Sequence, residues 1–164
     1  LTPIGYTMPI NKWTHIALVN AVNDQYELYV NGFVYSGTTS NVPAAPTSGL
    51  QIGNDSIANT TAFNGSIDEV RFWETALTQT QVRDNMCKKL MGTENFLKAY
   101  FRFDEKLGAI TENKAKDATA DGMLMNTPVW EVSNAPLGDI SVSIYGGEDG
   151  TLTCLLYTSP SPRD

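Results

Sequence analysis

The sequence predicts an all-β fold, an antiparallel sandwich with one short helix near residues 78–91. Three observations carry this. Short stretches rich in Val, Ile, Tyr, Phe and Trp alternate with Gly, Asn, Ser and Pro clusters. Asn31-Gly32 stands between two such stretches, and a type I′ hairpin turn needs positive φ at both central residues. Only one segment combines helical spacing with a start signal.

In order, Trp13 to Val19 is β-rich with apolar groups on both faces, as in an inner strand. Tyr26 to Val30 alternates, and Phe33-Val34-Tyr35 follows the Asn-Gly turn as its partner. Residues 36–49 read as loop from their Ser, Thr, Pro and Gly content. Leu50-Gln51-Ile52 reads as a short strand ending in Gly53-Asn54-Asp55, and Ser66 to Trp73 as another. Thr78 with Gln81 three residues later forms a capping box, and Leu77 with Val82 has the spacing of a hydrophobic staple. Val82, Met86 and Leu90 form the helix's apolar stripe, and Gly92 is its expected C-terminal cap. Leu97 to Phe103 is again a strand, with Leu97, Ala99, Phe101 and Phe103 on one face. Residues 104–122 are polar without a firm period. Ile140 to Tyr145 alternates and is expected to open a following β-domain or linker over 138–153.

Eleven basic residues against 18 acidic give a net charge of −7, which argues against a nucleic-acid or anionic-membrane surface. No apolar run approaches the roughly 20 residues of a membrane-spanning helix. The two cysteines, Cys87 and Cys154, allow one disulfide at most. The final residues, Cys154 to Asp164 (CLLYTSPSPRD), match in one reading frame the translation of a transposon mosaic-end sequencing adapter. They are expected to be an artefact, which removes Cys154 and leaves the charge at −7 because Arg163 and Asp164 cancel.

Taken together, KWTHIALV (residues 12–19), LYVNG (28–32), LQIGND (50–55) and FNGSIDEVRFWETAL (63–77) resemble the laminin-G-like jelly roll. This is the concanavalin A-like sandwich in its bacterial, adhesin-associated form. The helix TQTQVRDNM, the strand LKAYFRFDE and the stretch NTPVWEVSNAPLGD continue the likeness, so residues 1–137 are expected to form the domain. The family's early strands have no counterpart before Lys12, which implies an N-terminally truncated sandwich. The resemblance implies a secreted or cell-surface protein with a glycan or an extracellular protein as ligand.

It also points to calcium as the one candidate cofactor. Related pentraxins carry metal ligands in the loop that here holds Asn54 and Asp55. Convergent oxygens there would suit Ca²⁺, and an Asx-turn would use the same side chains on their own backbone. Only one carboxylate is present in this loop and no DxDxDG pattern, which favours the turn. Asp68 shares the period-two face of Val70 and Phe72. A carboxylate on an apolar face needs a partner, either a metal or a hydrogen-bond donor that fixes a turn, and the donor is the commoner answer. Asp104, Glu105, Asp117 and Asp121 crowd one loop-rich stretch, where a second cation site competes with plain surface solvation.

His15 stands mid-strand without loop partners, so no triad or zinc site is read around it. Trp73, Trp130, Tyr26, Tyr29, Tyr35 and Tyr100 form the pool of aromatics that could stack on sugar rings or build the core. Three function classes follow: a non-catalytic binding module, a glycoside hydrolase or its accessory module, and a spacer domain. Laminarinase-like hydrolases place their carboxylates as E-x-D-x-x-E on one strand, and Asp68, Glu69 and Glu74 do not match it. The binding module is the leading reading.

Overall fold

The computed structural model describes residues 7–21, 25–38, 49–54, 62–138, 142–146 and 152–156. Within them the architecture is antiparallel β with one short helix. Strands β1 (Ile16–Ala21), β2 (Gln25–Val30) and β3 (Phe33–Thr38) form a three-stranded sheet in the order β1-β2-β3. The turn between β2 and β3 is the expected one, with φ of 48° at Asn31 and 77° at Gly32. Register pairs Leu18 with Leu28 and Leu28 with Tyr35. The opposite face carries Ala17, Val19 and Tyr29, which pack with Val82 and Leu77 of the helical segment.

That helix, α1, spans Gln79–Asn85 and is shorter than its sequence suggests. Its start is as expected: the Thr78 side chain accepts from the Gln81 N–H, the Gln81 side chain accepts from the Thr78 N–H, and Leu77 packs near Val82. Its end is not. Arg71 donates to the carbonyls of Asn85 and Lys88, and the Gly138 N–H donates to the carbonyl of Cys87 at 2.9 Å. These donors take the carbonyls that a further helical turn would need, and Lys88 pairs with Gly138 as an isolated β-bridge. Met86, Cys87 and Leu90 are buried all the same, from a turn and extended chain. Gly92 therefore does not cap the helix. Its φ of +87° serves a close approach, where a Cβ would stand 1.9 Å from the Lys114 carbonyl oxygen.

Strand β4 (Val70–Trp73) pairs with β5 (Leu97–Phe101). Both are shorter than expected because non-glycine residues at positive φ break them, Glu69 (55°) before β4 and Phe103 (54°) after β5. Leu50–Ile52 is not a strand: it has no ladder partner among the described residues, and Leu50 and Ile52 are exposed. The polar stretch after residue 104 contributes β6 (Ile110–Thr111), paired with β7 (Gly122–Met123). Strands β8 (Val142–Gly146) and β9 (Leu152–Leu156) form an antiparallel pair.

A buried polar hub joins these pieces. Tyr100 is completely buried, and its hydroxyl accepts from the Leu90 N–H at 3.1 Å and donates to Glu69 Oε2 at 2.7 Å. Burial first, and then the Glu69 hydrogen bond, hold that hydroxyl above the usual phenol range, so it stays a donor. The Arg71 and Arg102 guanidinium carbons lie 5.3 and 5.2 Å from the centre of the Tyr100 ring. Arg71 pairs with Glu69, and Arg102 donates to the Leu90 carbonyl. Around the hub, Leu90, Leu97 and Ala115 form the core, with Trp73 packed against it.

His15 lies where the Arg71 charge reaches it. Burial first, and that charge second, lower its pKa from 6.5 to about 4. The folded protein thus holds His15 neutral where the unfolded chain takes up a proton. The stability this contributes is full above about pH 6.5 and is lost as pH falls toward 4. Thermal melts across that window should show a falling melting temperature for the native chain and a flatter curve for His15→Gln. Parallel curves for the two would contradict a neutral buried His15.

Candidate functional site

Of the residues singled out as metal ligands, Asn54 and Asp68 lie among the described residues. Asn54 is half-buried beside Gly53, whose carbonyl accepts from the Phe63 N–H at 2.8 Å and closes the loop. Asp55 lies outside the described residues. Asp68 is engaged through both carboxylate oxygens, Oδ1 by the Glu69 N–H at 2.8 Å and Oδ2 by the Ser133 hydroxyl. The period-two face expected to hold it with Val70 and Phe72 is broken by the positive φ at Glu69. No group of three or more His, Cys, Asp or Glu able to hold a metal occurs among the described residues.

The Asp68–Ser133 contact belongs to a strap. Residues 131–138 run back over the module, with Ser66 donating to Glu131 at 3.1 Å and the Trp13 indole N–H donating to Asn134 Oδ1 at 2.6 Å. Ser133 Oγ also accepts from the Ala135 N–H at 3.1 Å, and the strap ends on the Cys87–Gly138 bond. The residues at 68 and 133 are thus mutual partners, 65 positions apart in the chain.

The acidic stretch after residue 104 also works as internal scaffolding. Glu105 accepts from the Thr111 hydroxyl at 3.2 Å and the Glu112 N–H at 2.9 Å. Asp121 accepts from the Asn113 N–H at 3.0 Å, and Asn113 in turn accepts from the Tyr100 N–H at 2.9 Å. Asp104 pairs with Lys89.

The aromatic pool divides cleanly. Tyr26, Tyr29 and Tyr100 are buried and offer no ring to a ligand, while Tyr35 and Trp73 are half-buried, Trp73 being packed against the core. Trp130 is half-buried as well, and its indole N–H donates to the Gly108 carbonyl at 2.8 Å. With that polar group engaged, the surface it shows to solvent is the apolar ring. Phe103 lies beside it, ring centres 6.5 Å apart, and Phe101 lies 6.3 Å beyond Phe103. Three rings in series run from the buried end of β5 to the half-exposed Trp130. The positive φ at Phe103 ends the strand and re-aims that side chain, a step that strand periodicity does not foretell. Strand periodicity puts Phe101 and Phe103 on one face and gives no sign of the contact that Phe103 makes with Trp130. An aromatic ledge of this kind suits the C–H faces of sugar rings.

Comparison with known proteins bears on the fold. The family description of the concanavalin A-like lectin/glucanases superfamily matches residues 2–83. A solved structure, that of a candidate carbohydrate binding protein from Bacteroides ovatus, is similar with a TM-score of 0.54 and 23% sequence identity. The likeness covers 75% of this chain and 40% of that one, so the chain spans about two fifths of that protein's length. No curated protein matches the chain.

The strap makes a test of Asp68. Asp68→Ala and Ser133→Ala should each lower stability by about 1 kcal/mol in denaturant titrations. The double variant should lose less than the sum of the two singles, since the Asp68–Ser133 bond is counted in both. Fully additive losses would contradict the pairing.

Proposed function

Because the chain belongs to the concanavalin A-like lectin/glucanases superfamily, we propose that it is a non-catalytic carbohydrate-binding module of a secreted or cell-surface protein. The observation that carries this reading is Trp130 with Phe103 beside it, the indole N–H turned inward to Gly108 and the ring half-exposed. The likeness to a candidate carbohydrate binding protein supports it. A stacked sugar gains from apolar contact with such a ring, and neighbouring polar groups set its orientation.

The carboxylates of the SIDEVRFWE segment support the non-catalytic side. A glycosidase needs two carboxyl groups facing each other across a cleft, roughly 5–9.5 Å apart. Here Glu69 is buried in the hub, Asp68 holds the strap, and Glu74 is paired with Lys98 at 2.8 Å. All three have structural partners.

Calcium enters the proposal only through the Asn54–Asp55 loop, because Asp68 already has a donor at each oxygen. Adhesion, in which the glycan or an extracellular protein sits on another cell, is the corresponding biological role. Among the described residues no helix is long and apolar enough to cross a membrane.

A glycan array followed by calorimetry on the full chain tests the reading. We expect binding to neutral oligosaccharides, quenching or enhancement of Trp fluorescence on titration, and a loss of tenfold or more in affinity for Trp130→Ala with the fold intact by circular dichroism. Calcium at the loop would raise the melting temperature, reversibly on chelation. Hydrolysis of the bound sugar, or no glycan signal at all, would overturn the proposal.

A further inference from the structure

The sequence holds two Asn-Gly pairs, Asn31-Gly32 and Asn64-Gly65. Such a pair carries an electrophile and a nucleophile in adjacent residues, and Asn is among the thermolabile side chains for that reason. The Gly main-chain nitrogen attacks the Asn side-chain amide carbon, and without a Cβ on the Gly nothing hinders the approach. The reaction needs both groups free to meet, and the fold treats its two pairs oppositely.

Asn31-Gly32 is locked. Asn31 is 5% exposed, its Oδ1 accepts from the His15 N–H at 2.9 Å, and its own N–H donates to the His15 carbonyl at 2.9 Å. The Gly32 carbonyl accepts from Gln79 at 3.1 Å and from Arg83 at 2.9 Å, so the attacking residue is pinned as well. Asn64-Gly65 is open. Both residues are exposed and lie outside any helix or strand. Neither is tied by a hydrogen bond among the described residues. The Phe63 ring lies against Gly65, and Phe63 is itself exposed and can swing aside.

The place of the open pair gives its chemistry a structural consequence. On one side the Phe63 N–H closes a loop onto the Gly53 carbonyl at 2.8 Å. On the other the Ser66 hydroxyl fastens Glu131 of the strap at 3.1 Å. Asn64 and Gly65 are the whole main-chain link between these two fastenings.

We propose that Asn64 is a site of spontaneous deamidation, and that its isoaspartate product loosens the Ser66 fastening of the strap. The Gly65 nitrogen gives up its proton and bonds to Asn64 Cγ. The Cγ–Nδ2 bond breaks, ammonia leaves with that proton, and a cyclic imide remains. Water then opens the imide. Opening at Cγ gives aspartate, and opening at the Asn64 main-chain carbonyl gives isoaspartate, whose main chain runs through Cγ and is one carbon longer. One water is consumed and one ammonia released, and either product gains a negative charge.

Peptide mapping by mass spectrometry tests the site, on the full chain aged in mildly alkaline buffer, native and in denaturant. In the native chain Asn64 should convert with isoaspartate in excess, and Asn31 about tenfold or more slowly, since attack there must break its hydrogen bonds. In denaturant the two pairs should convert at similar rates. Gly65→Ala should slow conversion of Asn64 by about tenfold, because a Cβ obstructs the nitrogen. The isoaspartate form, isolated by ion exchange, should melt about 2–4 °C below Asn64→Asp, which carries the same charge on an unlengthened chain. Native conversion of Asn31 as fast as Asn64, or none at Asn64, would overturn the site. Equal melting of the isoaspartate form and Asn64→Asp would overturn the loosening of the strap.

Discussion

The structure depends on keeping two guanidinium groups and one carboxylate inside a small β-protein around the Tyr100 ring. Glu69 neutralises Arg71, Tyr100 donates to Glu69, and both arginines lie over the ring while donating to main-chain carbonyls at Asn85, Lys88 and Leu90. Ion pairs of this kind gain little over an apolar core, yet losing one partner strands a buried charge at a cost of about 3–5 kcal/mol. The hub therefore acts mainly as a specification. It ties β4, β5 and the segment after α1 together, because Arg71, Tyr100 and Arg102, on or next to the two strands, bond to Asn85, Lys88 and Leu90.

The consequences spread outward from that point. Arg71 takes the carbonyls that would have extended α1, so the chain leaves the helix early and runs extended beside Gly138. That pairing ends the 131–138 strap, whose other fastenings are Trp13, Ser66 and Asp68. From the other side of Tyr100, Asn113 accepts its backbone N–H and joins Asp121 to it. This holds the β6–β7 pair against Phe101, and so places Trp130 at its edge.

Much of this was legible in the sequence where the signal is local. Asn31-Gly32 names its own turn, Thr78 and Gln81 name their own cap, and the alternation in Tyr26 to Val30 names its strand. What escaped was decided by distant partners. The helix end depends on Arg71 and Gly138, and the strand ends depend on positive φ at Glu69 and Phe103, which no periodicity encodes. Leu50–Ile52 has strand composition without a partner among the described residues. The same holds for the site. Asp68 was visible as a carboxylate needing a partner, but Ser133 as that partner was not. Trp130 was visible as one aromatic in a pool of six, and only burial separated it from Tyr26, Tyr29 and Tyr100. The β6–β7 pair was hidden because a two-residue strand carries no period.

The proposed glycan recognition centres on one ring. The chain has three tryptophans, and each has a different environment: Trp13 is bonded to the strap, Trp73 is packed on the core, and Trp130 stands on the ledge. Their indole N–H resonances in a ¹⁵N-labelled sample report these places separately. On titration with an oligosaccharide found to bind, the Trp130 resonance should shift saturably, assigned by its loss in Trp130→Phe, with the Trp13 and Trp73 resonances nearly still. A Trp130 resonance that stays fixed while the sugar binds, or shifts confined to Trp13 or Trp73, would contradict it.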